Sequence, residues 1–415
     1  MQKLFIRNLS FLTLIQFSNS IIPLLIVPYL ARAVDQESFG NLEFARYYCY
    51  FFTIVVNYGF DVTITRTITL KKNNKPFLDE LISQVYYAKL LLLAGAAALY
   101  FIIILLVPSL YAIAKLLSAT FLINIGFVLF PLWYYQGVER LSRISLINFF
   151  VKVGIAALTV ILVKKNSDYW IFNGLQSLAL IVVGIISLLM LRYFYGFRVK
   201  RFRRRIFYSI IKGGYPIFLS TLLITINGSS YFLFLKLFST EAELGSFSAA
   251  NKLISSILSL MILPFSQAYF PMIIRLSKEN FLLFKKSMAM AARILFGITL
   301  FTASFLILFN EEIISIIFGD AYTSSSIPLM IMSATPMLML LSNLFASQGL
   351  LSLRKDREFL RIQYLGILVM FAGSIIIIDH VSAVSVAWVR FASESTVLVV
   401  SLLYYSRVVK QRSHV

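Results

Sequence analysis

The sequence predicts an all-α polytopic membrane protein of about twelve transmembrane helices, organised as two six-helix halves with both termini cytoplasmic. Three observations predict it. Hydrophobic residues make up 59% of the chain and charged residues only 13%, against roughly 25% charged in soluble domains. Apolar stretches near 20 residues, the length that crosses a bilayer core, recur from end to end. Lys and Arg alternate in density from one connection to the next, as insertion requires when basic loops stay inside.

The apolar stretches fall at 9–31, 41–61, 81–107, 112–135, 144–163 and 168–191, then at 213–237, 246–272, 287–309, 325–350, 359–379 and 382–405. Pro23, Pro28, Pro131, Pro216, Pro264 and Pro336 lie within or beside them. Proline is tolerated there when neighbours satisfy the carbonyl it frees. With the amino terminus inside, 27 of the 38 Lys and Arg fall in inside segments and 5 outside. The other 6 lie more than four residues inside a stretch, those at the edges being counted with the adjoining connection. A split that lopsided supports twelve crossings.

The net charge of +20 could suggest a nucleic-acid partner, but insertion topology accounts for the basic loops, so none is expected. Cys49 is the single cysteine, which excludes a disulfide framework. His380 and His414 are too far apart in sequence to suggest a metal site, and no cofactor is expected. The first apolar stretch reads as a retained helix, not a cleaved leader. Short outside loops leave no room for an extracytoplasmic catalytic domain. There is no nucleotide-binding glycine loop with Lys and Ser/Thr and no paired-carboxylate site, so an enzyme is not expected.

The halves divide as residues 1–200, a basic cytoplasmic linker at 201–212, and residues 213–415. The longest inside connection carries Arg201, Arg203, Arg204 and Arg205. It reads as an insertion signal and linker, or as a contact for anionic lipid headgroups. The halves echo one another faintly. Leu30 through Gly40 precedes Phe44-Ala45-Arg46, and Leu235 through Gly245 precedes Ala249-Ala250-Asn251-Lys252. Six helices per half would relate the halves by an axis along the membrane normal.

Ionisable residues within a bilayer are costly and by default face a cavity or a partner. Within the stated bounds basic residues outnumber acidic ones, nine to five, so the interior favours an anion. Arg46 lies about 5 residues into the second stretch, roughly 7 Å deep at 1.5 Å per residue. Lys252 is about as deep in the eighth, and Arg32 sits at the outer end of the first. A guanidinium offers paired donors to phosphate oxygens and stays charged. The competing reading has Arg46 and Arg32 snorkelling or pairing with Asp35, Glu37 or Glu43. Lys89, Lys152 and Arg293 fall nearer the cytoplasmic ends, where they would snorkel or line a vestibule for anions.

Arg390 and Glu394, four apart, are expected to neutralise each other. Asp61 is expected to pair with Arg66. Asp61 and Glu394 are nonetheless the candidates for coupling to a proton or sodium gradient. Gln16, Asn19 and Pro23 share one helix face. The amides of Asn57, Asn124, Asn227, Asn251 and Gln267 suit either sugar hydroxyls or helix–helix hydrogen bonds. Tyr47, Tyr48, Tyr134 and Tyr135 could stack on sugars or mark the interfacial belts.

Several of these segments carry a resemblance. Pro28-Tyr29-Leu30-Ala31-Arg32, Phe39-Gly40, Tyr58-Gly59-Phe60-Asp61 and Thr65-Arg66 resemble the opening of the Wzx-type O-antigen flippases. Pro131 through Arg140, Gly214-Tyr215-Pro216, and Phe318-Gly319 with Tyr322 are similar to later landmarks of that family. The resemblance runs over nearly the whole chain. It places the chain among the multidrug, oligosaccharidyl-lipid and polysaccharide exporters and implies two six-helix lobes around a central cavity. The implied cargo is an undecaprenyl-pyrophosphate-linked oligosaccharide repeat unit. Related lipid flippases put basic residues of the first, second and eighth helices in the cavity, which here would be Arg32, Arg46 and Lys252.

The expectation is therefore an inner-membrane flippase of polysaccharide and lipopolysaccharide biosynthesis working by alternating access. A polysaccharide polymerase and a chain-length regulator are the expected protein partners. Four rivals are weighed against it. A multidrug exporter of the same fold would bring carboxylates into its cavity. Flippases of the peptidoglycan precursor resemble this chain but carry two further helices. A membrane glycosyltransferase needs an acidic pair or a large outside loop. A purely structural partner of an assembly complex would not transport alone.

Overall fold

Helices account for nearly every described residue, because a chain in hydrocarbon must pair its backbone N–H and C=O groups within itself. The computed structural model describes Ile22 and residues 25–71 and 73–413, apart from a few side chains within helices. Only the end of the first expected span, 25–33 (α1), is described, and it is helical. Then follow α2 (Gln36–Asn57), α3 (Phe60–Lys71) and α4 (Lys75–Leu106). Next come α5 (Ala114–Gly137), α6 (Ser142–Leu162) and α7 (Asn166–Tyr193). The second half comprises α8 (Arg204–Phe238), α9 (Glu241–Glu279), α10 (Phe281–Leu308) and α11 (Asn310–Phe318). It ends with α12 (Asp320–Leu350), α13 (Asp356–Ile376) and α14 (Ala383–Ser413).

Ten described helices are long and apolar enough to cross a membrane. The two expected spans outside that set have clear reasons. Most of the first lies outside the described residues. The second, α2, is a 22-residue helix, about 33 Å long at 1.5 Å per residue, but Glu37, Glu43 and Arg46 dilute its hydropathy. Exposed apolar faces on α4 (Leu91, Leu99, Ile102) and α10 (Ile294, Phe301, Leu308) are the surfaces that hydrocarbon would cover.

Two elements differ from expectation. Residues expected to form a loop after the second span instead form α3. Its Phe60, Ile64 and Ile68 are buried at a spacing of four. Between them Thr63, Thr65, Thr67 and Thr69 each donate to the carbonyl four residues earlier. This back-bonding absorbs the hydroxyls and lets an alternating, strand-like sequence run as helix. The basic linker expected at 201–212 is likewise helical from Arg204 onward. Before that, residues 198–203 run along α4, held by its buried polar stripe. Asp79 and Ser83 accept from the Arg198 and Lys200 amides, and Gln84 bonds the Arg201 carbonyl and the Arg203 amide.

The chain divides into two compact units, residues 41–225 with the described residues before 35, and residues 35–40 with 226–415. The amino-terminal unit packs Ile68, Val85, Trp133, Tyr135, Ile144 and Val183 at its centre. The carboxy-terminal unit packs Ile273, Phe284, Met288, Leu340, Leu344 and Ile362.

The segments singled out in the sequence meet one another. Gly40 and Gly245, the echoed glycines, are in backbone contact. A Cβ on Gly40 would lie 2.6 Å from the Gly245 nitrogen, and one on Gly245 would lie 2.1 Å from the Gln36 carbonyl oxygen. Beside them Phe39 packs edge-on against Phe318 and Tyr322, with ring centroids 5.6 and 5.9 Å away. In the other unit, Tyr58 (φ 48°) and Gly59 (φ 74°) turn α2 into α3. That turn rests on Gly214, whose Cβ would meet the Tyr58 carbonyl at 2.6 Å, and the Tyr58 ring stacks on Phe218 at 4.8 Å. Thr65 and Thr69 donate across to the carbonyls of Trp133 and Gly137.

The Gly40–Gly245 crossing has no room for a methyl group on either side. Gly245→Ala is expected to lower the stability of the detergent-solubilised protein by about 1–3 kcal/mol, the usual cost of overpacking. Gly95→Ala, at a position open within 4 Å, should leave the melting curve where it is. Equal melting curves for the two variants would rule out the contact.

Candidate functional site

In the amino-terminal unit the charge cluster is built on α2. Glu43 and Arg46 are three apart and so share a helix face. Glu43 is buried, and its Oε1 accepts from Arg46 Nη1 at 2.7 Å, while the Arg46 side chain remains 44% exposed. The buried carboxylate thus fixes one edge of the guanidinium and leaves the rest open. Lys152 on α6 donates to Gln176 Oε1 of α7 at 3.2 Å. It lies close enough to Arg46 for the two positive charges to repel. Lys152 is mid-helix and half-buried, so it does not snorkel at an end. Of these three ionisable groups two are cations, and an arriving anion relieves their repulsion.

Lys89 sits elsewhere. Pro131 has no N–H, so the carbonyl of Phe127, four residues earlier on α5, loses its helical partner. The Lys89 ammonium, fully buried, fills that role. It donates to the Phe127 carbonyl at 3.0 Å and to Asn57 Oδ1 at 3.0 Å. Asp61 is exposed and attracts Lys89; it makes no ion pair with the expected partner Arg66 among the described residues. Arg293 is exposed on α10, with Nε donating to the Ala289 carbonyl at 3.4 Å. Arg32 is exposed and donates to the Pro28 carbonyl at 3.3 Å. Gln16 and Asn19 lie outside the described residues.

The carboxy-terminal unit has its own polar interior. Arg390 Nη1 donates to Asn251 Oδ1, and the guanidinium stands over the Tyr231 ring, 6.0 Å from its centroid. Arg390 and Glu394 are both buried. No salt bridge within 4.0 Å joins them; the guanidinium reaches across to Asn251 of α9 and still attracts the Glu394 carboxylate through its charge. Lys252 is buried beside Asn251.

Four described amides within spans act as helix–helix connectors. Asn124 joins α5 to Thr53 and Cys49 of α2. Asn227 of α8 accepts from Ser393 of α14, which also donates to the Gly366 carbonyl of α13. Asn57 and Asn251 hold Lys89 and Arg390. The tyrosines are structural too. Tyr135 donates to the Ser187 carbonyl at 2.6 Å, and Tyr48 packs 5.0 Å from Tyr100.

Glu43 and Gln176 are the members of the Arg46 cluster that sequence reasoning left in the background. Glu43 was visible as a partner for Arg46 by its spacing. Gln176 carries no local signal, since only the packing of α7 on α6 brings it to Lys152.

The chain belongs to the polysaccharide biosynthesis protein family, whose model matches residues 5–277. It is 27% identical over 359 residues to a protein of Escherichia coli named as an O-antigen transporter, covering 86% of each chain. A Shigella dysenteriae protein of the same name is 25% identical, over 88% of this chain and 90% of that one. Two solved structures share the fold. One is the lipid II flippase MurJ in an inward closed conformation, with TM-score 0.73, 15% identity, and coverage of 95% of this chain and 87% of that one. The other is an inward-facing multidrug resistance MATE family transporter, with TM-score 0.65, 14% identity, and coverage of 94% and 98%. The protein is a multi-pass membrane member of the polysaccharide biosynthesis protein family.

Lys89→Met removes the donor that satisfies the Phe127 carbonyl. It is expected to destabilise the solubilised protein by about 1–3 kcal/mol, the cost of an unsatisfied buried polar group. Adding Pro131→Ala restores a backbone N–H and should recover part of that loss in a thermal melt. If the double variant melts no higher than Lys89→Met, the carbonyl is not what Lys89 serves.

Proposed function

We propose that this protein is a flippase carrying undecaprenyl-pyrophosphate-linked oligosaccharide repeat units across a bacterial inner membrane, from the cytoplasmic to the periplasmic leaflet. The half-exposed Arg46 guanidinium carries the reading, pinned on one edge by buried Glu43 and repelled by Lys152. A pyrophosphate esterified at both ends is a dianion with oxygens spaced for paired guanidinium donors, so it fits this site better than a cationic drug would. The family and the two relatives named as O-antigen transporters support a polysaccharide cargo.

The physics favours transport of the sugar through a wet path. Each unsatisfied hydroxyl in hydrocarbon costs on the order of several kcal/mol, whereas the polyprenyl tail can stay in lipid. Arg46 and Lys152 hold the pyrophosphate in the amino-terminal unit. Lys252 in the carboxy-terminal unit and Arg32 complete the set of cations proposed for the cargo, with Gln16 and Asn19 offered to sugar. Alternating exposure to the two leaflets needs a drive, and a proton or sodium gradient acting at Asp61 or Glu394 supplies it. A polysaccharide polymerase and a chain-length regulator would act on the delivered units.

Deleting the gene in its host should abolish surface glycan and leave the undecaprenyl-linked unit accumulating in the inner leaflet. Wild type restores the glycan, Arg46→Ala does not, and Arg46→Lys restores a fraction, because an ammonium keeps the charge and loses the paired donors. Full restoration by Arg46→Ala at normal protein level would remove Arg46 from the site. Intact glycan in the deletion strain, with new sensitivity to cationic drugs, would assign a different cargo to the fold.

The energetic part has a separate check. Transport into vesicles should stop when proton and sodium gradients are collapsed together, and return when the coupling ion alone is restored. Transport at an unchanged rate without either gradient would end the coupling proposal and leave the cargo intact.

A further inference from the structure

Away from the charges considered above, α13 and α14 leave a groove where the start of one meets the end of the other. Its volume is about 580 Å³, and its walls include Leu365 of α13 and Val400, Leu403, Tyr404, Arg407 and Lys410 of α14. That volume lies in the usual range for a small-molecule site. The lining is divided along its length. Leu365, Val400 and Leu403 make an apolar side, and Arg407 and Lys410 stand one and two turns further on, both exposed. Neither cation makes an ion pair within 4.0 Å with a described residue. Arg361, exposed and four residues before Leu365, projects from the same face of α13.

Helix length sets the depth of these groups. The span Ala383–Gln411 has 29 residues, about 43 Å at 1.5 Å per residue, against roughly 30 Å of hydrocarbon. A helix that enters the hydrocarbon near Ala383 leaves it near Leu403. Arg407 and Lys410 then stand at headgroup level, with Val400 and Leu403 beside the acyl chains. Basic pockets between helices at that level are suited to phospholipid phosphates.

We propose that this groove is a binding site for one anionic phospholipid of the surrounding bilayer. Its phosphate sits on Arg407 and Lys410, and one acyl chain lies along Leu365, Val400 and Leu403. Charge complementarity selects an anionic headgroup, and the apolar wall selects a lipid over a soluble phosphate or an acidic peptide. The site does not depend on what the protein transports.

The test uses the full chain in nanodiscs containing phosphatidylglycerol with a photoreactive group on its acyl chain. Labelled peptides are mapped by mass spectrometry, and a phosphatidylcholine analogue runs in parallel. Label is expected around Leu365, Val400 and Leu403, more from phosphatidylglycerol than from phosphatidylcholine. Arg407→Gln with Lys410→Gln should cut that label about tenfold or more, since each basic residue near the surface is worth about fivefold in affinity. Label on the lipid-facing side of α10, around Ile294 and Phe301, should persist and shows that the variant is folded. Equal labelling by the two lipids, or unchanged labelling in the double variant, would overturn the proposal. So would loss of the signal on adding undecaprenyl pyrophosphate, which would assign the groove to a polyprenyl ligand.

Discussion

The structure depends on one constraint: in hydrocarbon, each backbone carbonyl needs a donor from the protein itself. Transporters nevertheless need helices that bend, and proline supplies the bends by removing a donor. Lys89 shows how the conflict is resolved here. The carbonyl that Pro131 orphans is satisfied by an ammonium from α4, and Asn57 of α2 accepts another of its protons. One break therefore ties three helices together. The threonines of α3 act in the same way, with Thr65 and Thr69 each bonding a carbonyl of their own helix and one of α5.

Close helix crossings follow from the same economy. Lipid tails compete with apolar side chains for contact, so helices gain most where small residues let backbones touch. Gly40 meets Gly245, and Gly214 meets the Tyr58 carbonyl. The segments that resemble Wzx-type flippases are thus mostly packing seams. The resemblance identifies a fold through its crossings. The charge at Arg46 lies outside the quoted segments and makes its case by chemistry.

Much of the fold was legible because hydropathy at the scale of 20 residues is a strong signal. The helix α3 was missed because its polar Thr and Arg positions broke the long apolar signal, while its hydroxyls bond backward along the helix. The site was less legible. Arg46 with Glu43 could be read from a spacing of three. Lys152 was expected nearer an end of its span, but its helix spans Ser142–Leu162, which puts it mid-helix, and its partner Gln176 comes from another helix. Arg390 and Glu394 read as a self-contained pair, yet the guanidinium also bonds Asn251 on another helix of the unit. Local spacing shows which groups can meet; only packing decides which do.

The central claim is movement of a lipid-linked oligosaccharide by this chain alone. The most direct measurement places purified protein in liposomes holding such a lipid in both leaflets, with a sugar-modifying enzyme outside. The account predicts that protein and an ion gradient together expose the inner pool, so that modification runs from about half of the lipid towards completion. Modification that stops at the outer-leaflet pool, with protein folded and correctly inserted, would contradict it.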